Sequence, residues 1–82
     1  MPQIKVFALS TCPYCRQARA FLDDSGTVYD VVEVDKLTGT ERDEAIDEVK
    51  RLSGGTSFPV MVIGDEVVVG YDKSRIQRLI AT

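Results

Sequence analysis

At 82 residues the chain has room for a single small domain, 1–82, which buries only about 60% of its unfolded surface and therefore needs a tight core. With 44% hydrophobic and 28% charged residues it has the composition of an ordinary globular protein, and no apolar run approaches the ~18 residues of a membrane span. The net charge of −3 and the lack of a Lys/Arg cluster argue against nucleic acid or an anionic membrane surface as partner.

Met1-Pro2-Gln3 runs straight into a strand pattern without the features of an export signal, so a cytoplasmic protein is expected. The first strand is predicted over 3–9, where Ile4-Lys5-Val6-Phe7-Ala8-Leu9 is apolar nearly throughout, as in a strand covered on both faces. A helix is predicted over 13–24. Cys15, Ala18, Phe21 and Leu22 fall at helical spacing and mark its buried stripe, leaving Arg16, Gln17, Arg19 and Asp23 for solvent. Ser25-Gly26 ends it, and a second strand rich in β-branched residues is expected over 28–34.

The second helix is expected to begin near Thr40, where Thr40-Glu41-Arg42-Asp43 has the form of a capping box with Asp in the place of Glu. Ala45, Ile46, Val49 and Leu52 make its inner face, Gly54 its stop, and its many charges a solvated outer face. After a loop, Gly55-Thr56-Ser57-Phe58-Pro59, two short strands over 60–63 and 66–69 are joined by the hairpin signal Gly64-Asp65. Gly70-Tyr71-Asp72 breaks the pattern. A last helix over 73–81, with Asp72 as its N-cap, buries Ile76, Leu79 and Ile80. The order βαβ-α-ββ-α predicts an α/β fold with parallel strands 1 and 2, and a four-stranded mixed sheet of order 2-1-3-4 with helices on both faces.

Both cysteines lie in Ser10-Thr11-Cys12-Pro13-Tyr14-Cys15, between the first strand and the first helix. Pro13 suits the first helical position, because the N–H it lacks would be unpaired there. Cys12 then sits at the N-cap, facing unpaired N–H groups and the positive end of the helix dipole, both of which favour a thiolate. A Cys-x-x-Cys after a strand and opening a helix, within a βαβ pattern, reads as a thioredoxin-like redox motif. Half of a structural zinc site is a competing reading, but the chain has no further Cys and no His to complete one. A purely structural disulfide would close only a tiny loop and restrain the unfolded chain little.

These residues resemble the glutaredoxins: Cys12-Pro13-Tyr14-Cys15 after a strand, a later loop ending in Pro59, and a glycine–aspartate turn, Gly70-Tyr71-Asp72, before the last helix. The resemblance covers essentially the whole chain. It implies the thioredoxin-like (glutaredoxin-type) fold and dithiol–disulfide exchange, with Cys12 as nucleophile and Cys15 as resolving thiol. It also implies a cis bond before Pro59, a substrate groove made by Pro13, Tyr14, Phe58, Pro59, Gly70, Tyr71 and Asp72, and glutathione as co-substrate. Arg16, the cation nearest Cys12 in sequence, is expected to lend the thiolate electrostatic support.

The sequence departs from the family pattern at positions that contact glutathione. Ser57-Phe58-Pro59 replaces Thr-Val-Pro, and Val69-Gly70-Tyr71-Asp72-Lys73 keeps one glycine and one aspartate of the family's turn. Leu9 and its neighbours, together with Gly55, offer no basic side chain where many members have one. Weak glutathione use is therefore expected. The segment from Gly70 to Ile76 also resembles the turn of redoxins that serve ribonucleotide reductase and draw electrons from thioredoxin reductase, which makes that role the alternative. Iron–sulfur carriage between two chains is a third reading, disfavoured by Pro13, and no metal is expected. The expected partners are disulfide-containing proteins and either glutathione or a thioredoxin reductase, acting on a monomer.

Overall fold

The computed structural model describes residues 3–55 and 57–81; Met1 and Pro2 of the predicted lead-in and Thr56 of the predicted loop lie outside the described residues. The elements in chain order are β1 (Ile4–Ala8), α1 (Pro13–Asp24), β2 (Asp30–Glu33), a 3₁₀ turn (Val34–Lys36), α2 (Gly39–Ser53), β3 (Val60–Ile63), β4 (Glu66–Val69) and α3 (Lys73–Ile80). The sheet order is β2-β1-β3-β4, as expected. β1 runs parallel to β2 and antiparallel to β3, and the β3–β4 hairpin turns at Gly64-Asp65.

Strand periodicity distributes the core between the two faces of this sheet. Successive side chains point to opposite sides, so Ile4, Val6 and Ala8 of β1 join Met61 and Ile63 of β3 on one face. There they pack against Cys15, Ala18 and Leu22 of α1 and Ile76 of α3. Phe7 and Val60 point the other way and meet Val34 and the α2 residues Ala45 and Val49. The near-continuous apolar run of β1 thus reflects a strand with a helix layer on each side.

Three local expectations are corrected. The second strand is shorter than 28–34: Val28 is 89% exposed and makes no strand pairing, and Val34 already belongs to the 3₁₀ turn. The capping box does not form, because α2 starts one residue earlier at Gly39, with Thr38 at the N-cap and Thr40 inside the first turn. No side-chain bond caps α2 at Thr38; a glutamate in that first turn, Glu41, faces the positive end of the dipole instead. Arg19 does not stand free in solvent but is half-buried, its guanidinium 3.9 Å from Glu33 of β2. The helix stops behave as expected, with Gly54 in the left-handed region at φ 75° and its N–H donating to Lys50.

Candidate active site

The two cysteines sit where the carboxyl end of β1 feeds α1, the edge at which open α/β sheets present their ligand sites. Cys12 is the N-cap, with extended backbone at φ −83° and ψ 120°, and its N–H donates to the Leu9 carbonyl at 3.2 Å. Pro13 opens the helix. The Cys15 N–H then points back at the Cys12 sulfur, 3.4 Å away. This is the capping geometry in which a serine oxygen would normally serve, here occupied by a thiol. Cys12 is partly exposed, whereas Cys15 is 1% exposed and lies in the core with Ala18 and Leu22.

This difference in burial separates the two thiols chemically. Partial burial works against a Cys12 thiolate, but hydrogen bonds from the Cys15 thiol and from the N–H groups of Cys15 and Tyr14 outweigh it, so its pKa lies below that of an ordinary thiol. For Cys15 burial is the largest influence and dominates. A backbone hydrogen bond from Leu9 and the positive charge of Arg19 oppose it, while the bond to Cys12 and the charge on that sulfur reinforce it, leaving a pKa of about 11. Of the two sulfurs Cys12 is therefore the one that ionises first, with the Cys15 thiol donating to it.

The sequence-predicted groove residues come to this edge by two connections. The Phe58–Pro59 bond is cis. The Pro59 carbonyl accepts from the Gly70 N–H at 2.7 Å, which ties the proline loop to the turn before α3, and Gly70 adopts φ 80°, a conformation open to glycine. Cys12, Phe58 and Tyr71 all pack against the α1–α3 side of the core, whereas Tyr14 is 62% exposed and Pro13 is exposed beside it. The Asp72 carboxylate caps α3 by accepting the Arg75 N–H at 3.2 Å. Lys73 lies over the Phe21 ring, 5.7 Å from its centre.

Arg16 is not among the groups that shift Cys12. Its side chain is exposed, and its contribution to the motif is the backbone N–H that donates to the Cys12 carbonyl at 3.1 Å. Four residues into the helix it points outward, whereas Arg19 lies near enough to Cys15 to act on its charge. Sequence reasoning also missed a clamp on the loop before the motif. The Ser10 N–H and hydroxyl both donate to the Asp35 carboxylate, the former at 3.0 Å, and these bonds hold the Asp35 pKa below the usual carboxylate value. Parallel register was the available signal: Ala8 pairs with Glu33, so the residues two further along each strand, Ser10 and Asp35, emerge side by side.

A thiolate at a helix N-terminus backed by a buried second thiol is the arrangement of a dithiol redox site. The glutaredoxin family model matches residues 4–68, from β1 into β4. The chain belongs to the glutaredoxin family. Glutaredoxins are thiol–disulfide oxidoreductases. A solved glutaredoxin from Archaeoglobus fulgidus shares 39% identity with a TM-score of 0.93, over 100% of this chain and 89% of that one. Methanosarcina acetivorans methanoredoxin shares 30% identity with a TM-score of 0.92, over 98% of this chain and 85% of the other. Among curated relatives, Glutaredoxin 1 of Rickettsia prowazekii is 36% identical over 67 residues, which are 82% of this chain but 66% of that protein. The chain thus spans slightly less than two thirds of that relative's length.

Proposed function

We propose that this glutaredoxin reduces disulfides through Cys12 and Cys15, and the observation that carries the reading is a partly exposed thiol at the α1 N-cap with a buried second thiol one turn behind it. The Cys12 thiolate attacks one sulfur of a substrate disulfide, forming a mixed disulfide and releasing the other sulfur as a thiolate. Cys15 then loses its proton and attacks the Cys12 sulfur. The second substrate thiolate leaves, and the Cys12–Cys15 disulfide retains the two-electron oxidation. Formation of the mixed disulfide itself prepares this second step. It removes both the negative charge on Cys12 and the acceptor of the Cys15 proton, two of the influences that hold the Cys15 pKa up, and leaves Leu9 and Arg19 favouring its thiolate.

The substrates on this reading are protein disulfides and mixed disulfides with glutathione. Pro13, Tyr14 and Tyr71 form the walls of the groove, the backbone at Phe58 and Pro59 pairs with an extended substrate segment, and the Gly70-Tyr71-Asp72 turn receives the amino end of glutathione. Glutathione serves weakly. Leu9 and Gly55 supply no cation for its carboxylates, Lys73 is engaged with Phe21, and Asp72 already spends one oxygen on the α3 N-terminus. The same features favour a thioredoxin reductase as electron source and an electron-donor role toward a reductase such as ribonucleotide reductase. The protein is assigned to the cytoplasm as a monomer, with no nucleic acid or membrane partner, in keeping with its net charge of −3. Among the described residues no helix is long and apolar enough to cross a membrane, and no group of three or more metal-ligating side chains occurs.

The deciding assay follows reduction of one disulfide substrate with glutathione plus glutathione reductase, and separately with NADPH plus thioredoxin reductase. Turnover in the second system well above the first is expected. Efficient turnover that saturates at low glutathione would overturn the weak-glutathione reading, and failure in both systems would overturn the oxidoreductase reading.

A further inference from the structure

Beside the dithiol, on the α2 side of the sheet, lies a cleft of about 160 Å³. Leu9 and Phe58 form its wall toward the cysteines, Ile46 and Val49 of α2 form the opposite side, and Asp35 and Arg42 complete it. We propose that this cleft seats one aliphatic or aromatic side chain of a polypeptide substrate, next to the cysteine whose disulfide is attacked. The inference rests on the oxidoreductase reading above and names the substrate class of that same site.

Three observations carry it. The first is continuity with the surface that every disulfide substrate must meet. The Leu9 carbonyl holds the Cys12 N–H, and Phe58 packs against both halves of the core, sharing one of them with Cys12. The cleft therefore shares two of its lining residues, Leu9 and Phe58, with the surroundings of Cys12. The second is size, since an apolar cavity of about 150 Å³ accommodates a benzene-sized group. One leucine or phenylalanine side chain fills it, and a peptide segment does not fit. The third is chemistry. Leu9, Ile46 and Phe58 are each half-buried and have apolar surface left to cover, while Asp35 is already engaged by Ser10. Arg42, exposed at the cleft, is balanced by the Asp35 carboxylate in the same lining, so the cleft carries no net charge and selects for apolar bulk. Glutathione has no apolar side chain to place in such a cleft. The site therefore discriminates polypeptide disulfides from the small one.

Disulfide-linked dimers of two short peptides, one with leucine and one with serine on both sides of its cysteine, provide the test. The fully reduced protein reduces each in a single turnover: one peptide thiol is released on attack by Cys12, the second when Cys15 closes the protein disulfide. Rates are normalised to reduction of the same dimers by dithiothreitol. The leucine dimer is expected to react about tenfold faster, the lower end of what filling an apolar subsite yields. The ratio should fall toward one both in Ile46→Glu and in Ile46→Phe, which occupies the cleft from within; thermal unfolding establishes that each variant is folded. Equal normalised rates in the unsubstituted protein, or a preference that survives both substitutions, would overturn the proposal while leaving the oxidoreductase function standing. Reduction of neither dimer would remove both. Sedimentation of the same samples tests the other occupant: a dimer of this chain that Ile46→Glu dissolves would assign the cleft to a second copy and refute the substrate role.

Discussion

Asp72 carries two duties that one pair of substitutions separates. Its carboxylate accepts the Arg75 N–H at 3.2 Å and so caps α3, the eight-residue helix that places Ile76 in the core. On the proposed function the same carboxylate, exposed to solvent, also faces the ammonium group of glutathione. Asp72→Ala removes both. Loss of an N-cap costs about 1 kcal/mol, which in a domain of this size lowers the melting temperature by about 4–8 °C. Asp72→Ser keeps an oxygen for the Arg75 N–H, so its melting temperature should stay within about 2 °C of the unsubstituted protein. Both variants lose the charge, and an exposed ion pair is worth only about 0.2–1 kcal/mol, so kcat/KM for glutathione should fall by about 1.4- to fivefold in each. Differential scanning calorimetry and glutathione-coupled turnover read the two effects independently. A serine variant as unstable as the alanine variant would refute the capping argument. Unchanged glutathione kinetics in both would refute the placement of the ammonium group at Asp72.

Other outcomes follow from the same geometry. The iodoacetamide reaction of Cys12 should reach half its limiting rate below pH ~8.5, the titration point of a free thiol, because the folded state favours the thiolate and the rate falls only as that group is protonated. In Cys12→Ser, Cys15 should still titrate above a free thiol, since burial remains, but below about 11, since the Cys12 charge is gone. Leu22→Ala empties a fully buried position between α1 and the sheet and should cost about 3 kcal/mol in urea unfolding. Leu9→Lys, which supplies a cation beside the motif, should lower the KM for glutathione by about 1.4- to fivefold; no change would mean that backbone contacts alone set that affinity.

The fold was legible because its signals are local and strong. The apolar run of β1, the helical spacing of Cys15, Ala18 and Leu22, and the turn at Gly64-Asp65 each report one element, and the short connections leave few ways to arrange them. The dithiol was legible for the same reason, since Pro13 marks the helix start and thereby places Cys12 at the cap. What escaped was set by tertiary register. The Ser10–Asp35 clamp joins residues 25 apart in sequence and depends on where β2 ends, and β2 ends earlier than its β-branched residues suggest because Val34 turns inward to the α2 side of the core. Arg16 and Arg19 look alike as charged helix residues, yet one faces water and the other reaches Glu33 and the field of Cys15. Thr40 had the sequence of a cap, but Thr38 takes the N-cap position and Thr40 falls inside the first turn.

The central claim is that Cys12 attacks and Cys15 resolves. Intact-protein mass spectrometry of Cys12→Ser and Cys15→Ser, each mixed with a disulfide substrate at pH 7, tests it directly. Cys15→Ser should accumulate one substrate molecule per chain, bound through Cys12 and released by dithiothreitol, whereas Cys12→Ser should remain unmodified over the same period. Stoichiometric capture by Cys15 in the Cys12→Ser protein, or no adduct on Cys12 in the Cys15→Ser protein, would contradict the account.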